Sequence, residues 1–313
     1  MVQLKSAWGM PSVSTQHRIS RPRFKQYISV GFALILFAFT GCAPANKAYR
    51  LELTPVTDTP TGEHHPGKFV WDDLLTDNVD AAKDFYGQLF GWTFEQSGEY
   101  TVIKNNGRNI GGMVQIKGDS EHPSVARWLC ELSVADVDKA VAMLSEKGGI
   151  IHEGPLEYLN RGRGAFVSDP QGAQLFLLYA TGGDPDDEEP ALGSWLWHEL
   201  WSNKVADSLA FYQELVGYDF TGEMTDYLIL TKDEQWRAGI RYVENNELEM
   251  RWVPVVRVAD TDDVAERAKQ LGGKVLVEPR PTESGGSVAL LSDLSGALLI
   301  IQRWTAPTPG QEN

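Results

Sequence analysis

Between residues 68 and 304 the apolar and polar positions follow one rhythm four times. "FVWDDLLT" (69–76) has strand length, and "NVDAAKDFYGQLFG" (78–91) sets Val79, Ala82, Phe85, Tyr86 and Leu89 along one side of a helix. Gly91 stops that helix. Three short runs with strand character follow: "TFEQS", "YTVIKN" and "NIGGMVQI". The order then recurs. "RWLCELSV" reads as a strand, "DVDKAVAMLSEKGG" as a helix opened by Asp136 and closed by Gly148, and "IIHEGPLEYL", "GAFVSD" and "AQLFLLYA" as three more strands.

The second half of the chain repeats the first. Trp71 aligns with Trp197, Leu74 with Leu200, Phe85-Tyr86 with Phe211-Tyr212 and Gly91 with Gly217. "WLCELSVADVD" (128–138) matches "WVPVVRVADTD" (252–262), and "SDPQGA" (168–173) matches "SDLSGA" (292–297). The chain therefore holds a duplication, 68–180 and 194–304, and each half is two βαβββ units. A helix covers one face of such a unit's sheet and leaves the other open. Two units side by side make a cupped eight-stranded sheet. The expected fold class is α+β, with two tandem cupped domains.

Residues 181–193 carry "GDPDDEEP" (183–190) and read as an acidic, solvated linker. Ahead of the first domain, "RISRPRFK" (18–25) precedes the apolar run "ISVGFALILFAFTG" (28–41), too short for a comfortable membrane span. That order describes an export signal. "FTGC" resembles a bacterial lipobox, with Phe39 where leucine is usual, which implies lipidation at Cys42. An uncleaved anchor helix is the alternative. The expected organisation is an export signal at 1–42, a flexible Thr/Pro-rich stalk at 43–67, the two domains with their linker, and a tail at 305–313. The implied location is the bacterial cell envelope, on the extracytoplasmic side, with the membrane as a partner through the lipid anchor. The formal net charge of −15 argues against a nucleic-acid partner. Cys130, in "WLCELSV", reads as a small buried hydrophobe.

The phrase W(D/H)(D/E)L…AxxFYxxLxG(W/Y), present in both halves, resembles the vicinal oxygen chelate superfamily of glyoxalases, bleomycin-resistance proteins and extradiol dioxygenases. The resemblance spans 68–304. It implies one divalent metal, such as Fe, Ni, Mn or Zn, held in a cup by His, Gln or Glu. Carried over residue by residue, the opening-strand positions fall on Trp71, Trp197, Leu129 and Val253, and the closing-strand positions on Phe176 and Ile300. The fourth strands offer Met113 or Gln115, and Ile240 or Tyr242. Nearly all lack a donor for a divalent ion, so no cofactor is expected. A one-residue slip would instead offer His198 and Glu199 as a metal pair, although strand alternation turns such neighbours to opposite faces.

On this register Trp71, Asp73, Glu131, Ser133 and Gln115 line the first cup, and Trp197, Glu199, Trp201, Arg257 and Gln302 the second. Indoles beside a few charges suit a small-molecule pocket. Arg257 would pair with Glu199 or hold a ligand's anionic group. "NRGRGAF" (160–166) is either a hairpin turn or an anion clamp through Arg161 and Arg163. No nucleotide-binding loop, serine triad or zinc-ligand cysteine spacing occurs. The leading expectation is a membrane-tethered protein that binds a small molecule without a metal. The alternatives are a metal-dependent glyoxalase-like lyase or extradiol-type dioxygenase working through Asp73, Glu131, His198 or Glu199, and a non-catalytic envelope scaffold.

Overall fold

A computed structural model describes residues 53–117, 126–224, 226–244, 249–282 and 286–304. The expected export signal, Cys42 and the tail 305–313 lie outside the described residues. Among the described residues no helix is long and apolar enough to cross a membrane.

The first half runs β1 (Phe69–Thr76), α1 (Val79–Phe90), β2 (Thr93–Ser97), β3 (Tyr100–Asn105), β4 (Arg108–Gln115), β5 (Arg127–Ser133), α2 (Val137–Glu146), β6 (Ile150–Tyr158), β7 (Gly162–Ser168) and β8 (Gln174–Ala180). The second half repeats it: β9 (Trp195–Ser202), α3 (Val205–Val216), β10 (Asp219–Glu223), β11 (Tyr227–Lys232), β12 (Gln235–Tyr242), β13 (Arg251–Arg257), α4 (Thr261–Gln270), β14 (Lys274–Pro281), β15 (Ser287–Ser292) and β16 (Leu298–Arg303). Each half forms one eight-stranded sheet, in the orders β2-β3-β4-β1-β5-β8-β7-β6 and β10-β11-β12-β9-β13-β16-β15-β14. Two βαβββ units thus join through β1 and β5, and through β9 and β13. The helices start where the sequence offers caps. Asn78 and Asp136 accept from backbone N–H groups in the first turns of α1 and α2, and Asp260 does so for α4. Gly91 and Gly217 end α1 and α3 in the left-handed conformation.

The two domains do not keep separate cores. One apolar cluster joins Phe85, Tyr86 and Leu89 of α1 to Val264 and Ala268 of α4 and to Leu291, Leu299 and Ile301 of the second sheet. A second joins Leu209, Phe211 and Tyr212 of α3 to Leu144 of α2 and to Cys130, Leu132, Val167 and Leu175 of the first sheet. The helix of each opening unit thus packs on the other domain. The repeated Phe-Tyr pair serves this crossing. Tyr86 donates to Asp293 at 3.1 Å and Tyr212 to Asp169 at 3.0 Å. Both aspartates sit in the duplicated "SD" turns, where backbone N–H groups of Ala173 and Gln171, or of Ala297 and Ser295, also point at the carboxylate. The helix faces of the two sheets share this interior, so the cup faces point away from it.

The described part of the expected flexible stalk is docked. Of the stalk, Leu53 and Val56 are buried in the apolar cluster of the first cup, and Thr61 and Gly62 bond to Gly182. The acidic linker is exposed from Asp186 to Glu189, as expected, but is anchored at its start. Asp184 is buried and accepts from His65 N at 2.7 Å and Ser133 Oγ at 2.6 Å. Asp187 bridges Lys68 and Arg237, Glu188 meets Arg108, and Glu189 meets Arg257. Partial burial raises the Asp187 pKa, but hydrogen bonds from Arg237 and Lys68 outweigh that and bring it down to about 2. Asp187, Glu188 and Glu189 thus stay exposed, as a charge run usually does, while each meets an arginine of one of the two sheets.

The Tyr–Asp pairs across the seam make a prediction. A hydrogen bond to a buried carboxylate contributes about 1.5–3 kcal/mol. Tyr86→Phe and Tyr212→Phe should each lower the unfolding free energy in urea by about 2 kcal/mol, within one cooperative transition. Two separate transitions, one per domain, would contradict the shared core.

Candidate functional site

β1 is buried along its whole length, and alternation divides its side chains between two dry environments. Trp71 and Asp73 face the cup, with Leu75 in the same cluster, while Asp72 and Leu74 face the inter-domain seam. β9 repeats this, with Trp197, Glu199 and Trp201 towards its cup and His198 and Leu200 towards the seam.

In the first cup the indole N–H of Trp71 reaches Asp73 Oδ1 at 3.0 Å and the Tyr100 hydroxyl at 2.9 Å, and Tyr100 donates to Asp73 at 2.6 Å. A Cβ at Gly112 would overlap that hydroxyl, so the glycine is what admits the tyrosine. Arg161 enters from the β6–β7 turn. Its Nη1 lies 2.8 and 2.9 Å from the two Glu131 oxygens, its Nη2 reaches Tyr100, and its guanidinium stacks 4.3 Å over Trp71. Its Nε donates to the carbonyl of Thr54 in the N-terminal strap. Arg161 is 0% exposed and Glu131 1%, so this cup is sealed by its own chain. Burial, then the Asp73 charge, pushes the Glu131 carboxyl up to about 8 against the pull of Arg161. Burial draws Arg161 down, but Glu131, Tyr100 and Asp73 outweigh it and keep the guanidinium charged. The Glu131 and Asp73 carboxyls thus stand around one guanidinium.

The second cup is a copy with different occupants. Arg241 of β12 grips Glu199 with two bonds of 2.9 Å and stacks 4.6 Å from the Tyr227 ring. Trp197 donates to the Tyr227 hydroxyl at 2.6 Å, and Trp201 approaches Glu199 at 3.4 Å. Val253, Val255, Val288, Leu290 and Ile300 floor the rest. Here the copies of Trp71 and Tyr100 are only half-buried. Trp236, 49% exposed, stands 6.2 Å from Trp197, and Trp304 lies 5.8 Å from Trp236. The three indoles pack edge to face in a row, with Trp236 exposed.

Between the sheets lies a third cluster. His198 Nε2 is 3.0 Å from both Asp72 oxygens, and the Cys130 thiol bonds the same carboxylate. Phe69 stacks 4.3 Å from the imidazole. Burial raises the Asp72 pKa against His198, and burial and Asp72 raise that of Cys130. One donor atom from each of the three residues lies within 4.8 Å of the others.

Residues 64–176 match the family model of the glyoxalase/bleomycin resistance protein/dioxygenase superfamily. That match covers nearly all of the chain's first domain. The second domain repeats the same sheet order. CFP32 of Mycobacterium tuberculosis, named provisionally as a glyoxylase, is 28% identical over 259 residues, covering 80% of this chain and 98% of the relative. The anthracycline biosynthesis protein DauV of Streptomyces sp. is 26% identical over 258 residues, covering 76% and 94%. Among solved structures, a Mn(II)-bound glyoxalase from Novosphingobium aromaticivorans superposes with a TM-score of 0.53 at 17% identity, covering 76% of this chain and 82% of the other. The 2,3-dioxygenase LapB of Pseudomonas sp. KL28 gives 0.53 at 14%, covering 83% and 97%. These structural likenesses establish the fold.

The superfamily's metal does not fit these cups. Trp71, Leu129 and Phe176 in the first, and Val253 and Ile300 in the second, pack in apolar clusters, and Trp197 spends its N–H on Tyr227. On β4 and β12 the residues that reach the cups are Gly112 and Arg241, while Met113 and Ile240 lie in the seam clusters. Asp73 and Glu131 could serve a cation, but Arg161 already sits there as one. His198 and Glu199 point to opposite faces and cannot share an ion. The seam trio has donor types that suit zinc, yet Asp72 and Cys130 are 0% and His198 5% exposed, on the side away from both cups.

Three sequence-based placements need correction. Gln115 caps the start of α1, accepting from Val79 N, rather than entering the cup. Arg257 bonds Pro190 O and Glu189 at the rim; the partner of Glu199 is Arg241. Arg161 is neither a plain turn residue nor a clamp at the mouth, but the buried counterion of Glu131. Arg163, two residues on, does stay outside, with Asp138 and Glu157. Arg241 had no signal beyond its parity with Gly239 on an alternating strand.

The raised Glu131 carboxyl carries a pH signature. It holds its proton in the folded state from about 4.5, its unfolded value, up to about 8. More protons are bound folded than unfolded in that window, so stability falls as pH rises through it, by up to about 1.4 kcal/mol per unit. The unfolding free energy of the wild type, measured against Glu131→Gln, should decline between pH 5 and 8. A flat difference would contradict the raised Glu131 carboxyl.

Proposed function

We propose that this protein, as a member of that superfamily, binds a planar small molecule in its second cup, without a metal at the positions its relatives use. The observation that carries this reading is the contrast between the copies. The first cup is filled by its own Arg161, Leu53 and Val56, while the second keeps a partly exposed indole wall over a Glu199–Arg241 floor. Aromatic walls with a few fixed polar groups are what small-molecule sites are made of. The DauV relative supports it by its name, since an anthracycline presents a flat polycyclic surface on which indoles stack.

A second reading has its own observation. The Asp72–Cys130–His198 trio offers three donors of zinc-binding type. A metal there would tie the two domains together, since no substrate oxygen reaches it. The glyoxalase or dioxygenase alternative, which the structural neighbours favour by their names, would need a metal exposed to a cup. Membrane tethering through Cys42 is part of the proposal and stands on the N-terminal sequence pattern alone.

Calorimetric titration with naphthalene compounds should show saturable binding, weakened at least fivefold by Trp236→Ala with no change in Tm. Absence of binding by any of them would refute the pocket. Metal analysis of untagged protein separates the other readings. Stoichiometric zinc lost in Cys130→Ala marks the seam, whereas metal retained in that variant marks a cup and favours an enzyme. Cys42→Ser should release the protein from membranes; unchanged fractionation and no acyl mass would refute lipidation.

A further inference from the structure

The duplication supplies an internal control for the outer edge of each sheet. β6 and β14 are equivalent edge strands. Ile150 lies opposite Ser168 and Leu156 opposite Gly164, as Lys274 lies opposite Ser292 and Arg280 opposite Val288. An unpaired edge is usually protected by charge, and β14 follows that rule with Lys274 and Arg280. β6 sets Ile150 and Leu156 in their places, and both are exposed. Leu159, in the turn that follows, is 58% exposed, more than any other large apolar side chain among the described residues.

Ile150 and Leu156 share one face, because residues directly opposed on a ladder point the same way. Leu156 lies in a row with Gly164 and Leu178, and Leu178 belongs to the apolar cluster of the first cup. Ile150 lies opposite Ser168, two positions from Phe166 of the same cluster. Glu157 turns to the other face, where it meets Arg163. Glu153, opposite Phe166 on the cup side, is half-buried, and burial raises its pKa against a hydrogen bond from Tyr158. The cup side of this edge is therefore mainly apolar. The chain's N-terminal segment leaves from the same side. Leu53 is buried in the first cup's cluster, and Arg161, two residues after Leu159, holds the carbonyl of Thr54. Leu53 is eleven residues after Cys42. Even fully extended, that length reaches about 40 Å, whereas a globule of this size is roughly 45 Å across. So short a tether keeps the cup side of the first sheet towards the bilayer, since any other side would need a path around the molecule.

Building on the reading that the chain is tethered at Cys42, we infer that the cup side of the β6 edge, with Ile150, Leu156 and Leu159, docks on the bilayer that holds the anchor. The three side chains enter the boundary between headgroups and acyl chains. In a chain of net charge −15 the choice of face matters, because anionic lipids repel carboxylates. This orientation turns the first cup, already filled by Arg161 and the N-terminal strap, towards the lipid, and the second cup away from it.

The test uses the full chain with its own anchor, in vesicles of phosphatidylethanolamine with a minor share of phosphatidylglycerol. A nitrobenzoxadiazole label is placed at Leu159→Cys or, as a control on the second sheet's edge, at Leu276→Cys; Cys130 is buried and stays unlabelled in the folded protein. Doxyl lipid should quench the label at 159 about threefold more strongly than the label at 276. Giving β6 the charges of its copy, with Ile150→Lys and Leu156→Arg together, should remove that excess without moving the urea midpoint, since both positions are exposed. Equal quenching at the two labels, or an excess that survives the double substitution, in protein that still fractionates with membranes overturns the docking and leaves the tether standing. A label at 159 that is shielded from water but not reached by doxyl lipid places protein on this face and overturns it as well. Protein that does not fractionate with membranes overturns both.

Discussion

The opening strands of both repeats are dry on both faces over most of their length, so each polar side chain along them must be matched inside protein. Asp72 is matched by His198 and Cys130, Asp73 by Trp71 and Tyr100, and Glu199 by Arg241. A shift of one residue in either strand would exchange seam for cup and strand all of these groups at once. This parity is the constraint on which the architecture turns. It determines which residues lock the domains together and which remain for a ligand.

The seam shows what duplication within one chain permits. Asp72 and His198 occupy equivalent positions in the two repeats, and they meet each other. In a symmetric dimer of identical subunits an isologous contact at this place would bring a residue against its own copy. Two buried aspartates or two histidines would gain nothing from each other; a carboxylate and an imidazole do. The crossed Tyr86–Asp293 and Tyr212–Asp169 contacts, by contrast, keep the self-complementary form of a dimer interface. The molecule therefore retains the geometry of a two-fold pair while its central contact has become asymmetric.

The cups have diverged in the same way. One has turned inward: a guanidinium stands among the carboxyls, and the chain's own Leu53 and Val56 cover it. The other has lost a carboxyl, gained Arg241 and kept its indoles within reach of solvent. Shared architecture says little about chemistry here, because the fold sets where side chains converge and not which ones arrive. Position by position, these cups present aromatic and aliphatic groups where metal-dependent relatives need donors.

Much of this was legible in the residues themselves. Helical spacing and glycine stops marked the helices, and the offset between the repeats marked the duplication. Period-two alternation sorted Trp71, Asp73, Glu131, Trp197 and Glu199 onto cup faces, and His198 away from them, because a strand's two faces are set by local geometry alone. Partnership was not legible. That Arg241 rather than Arg257 would hold Glu199, that Arg161 would fold inward onto Glu131, and that "GDPDDEEP" would be stitched to both sheets all depend on which distant segments meet. Gln115 was misplaced for a related reason: parity counted from β1 does not cross a loop into β4. The elements, their repetition and the facing of residues within a strand were all readable along the chain, since each follows from neighbours a few positions away. Which charges pair, which cup is sealed and how the domains come to share one interior emerge only once the chain is folded. Those outcomes are set by contacts between residues far apart in the chain, where no local periodicity reaches.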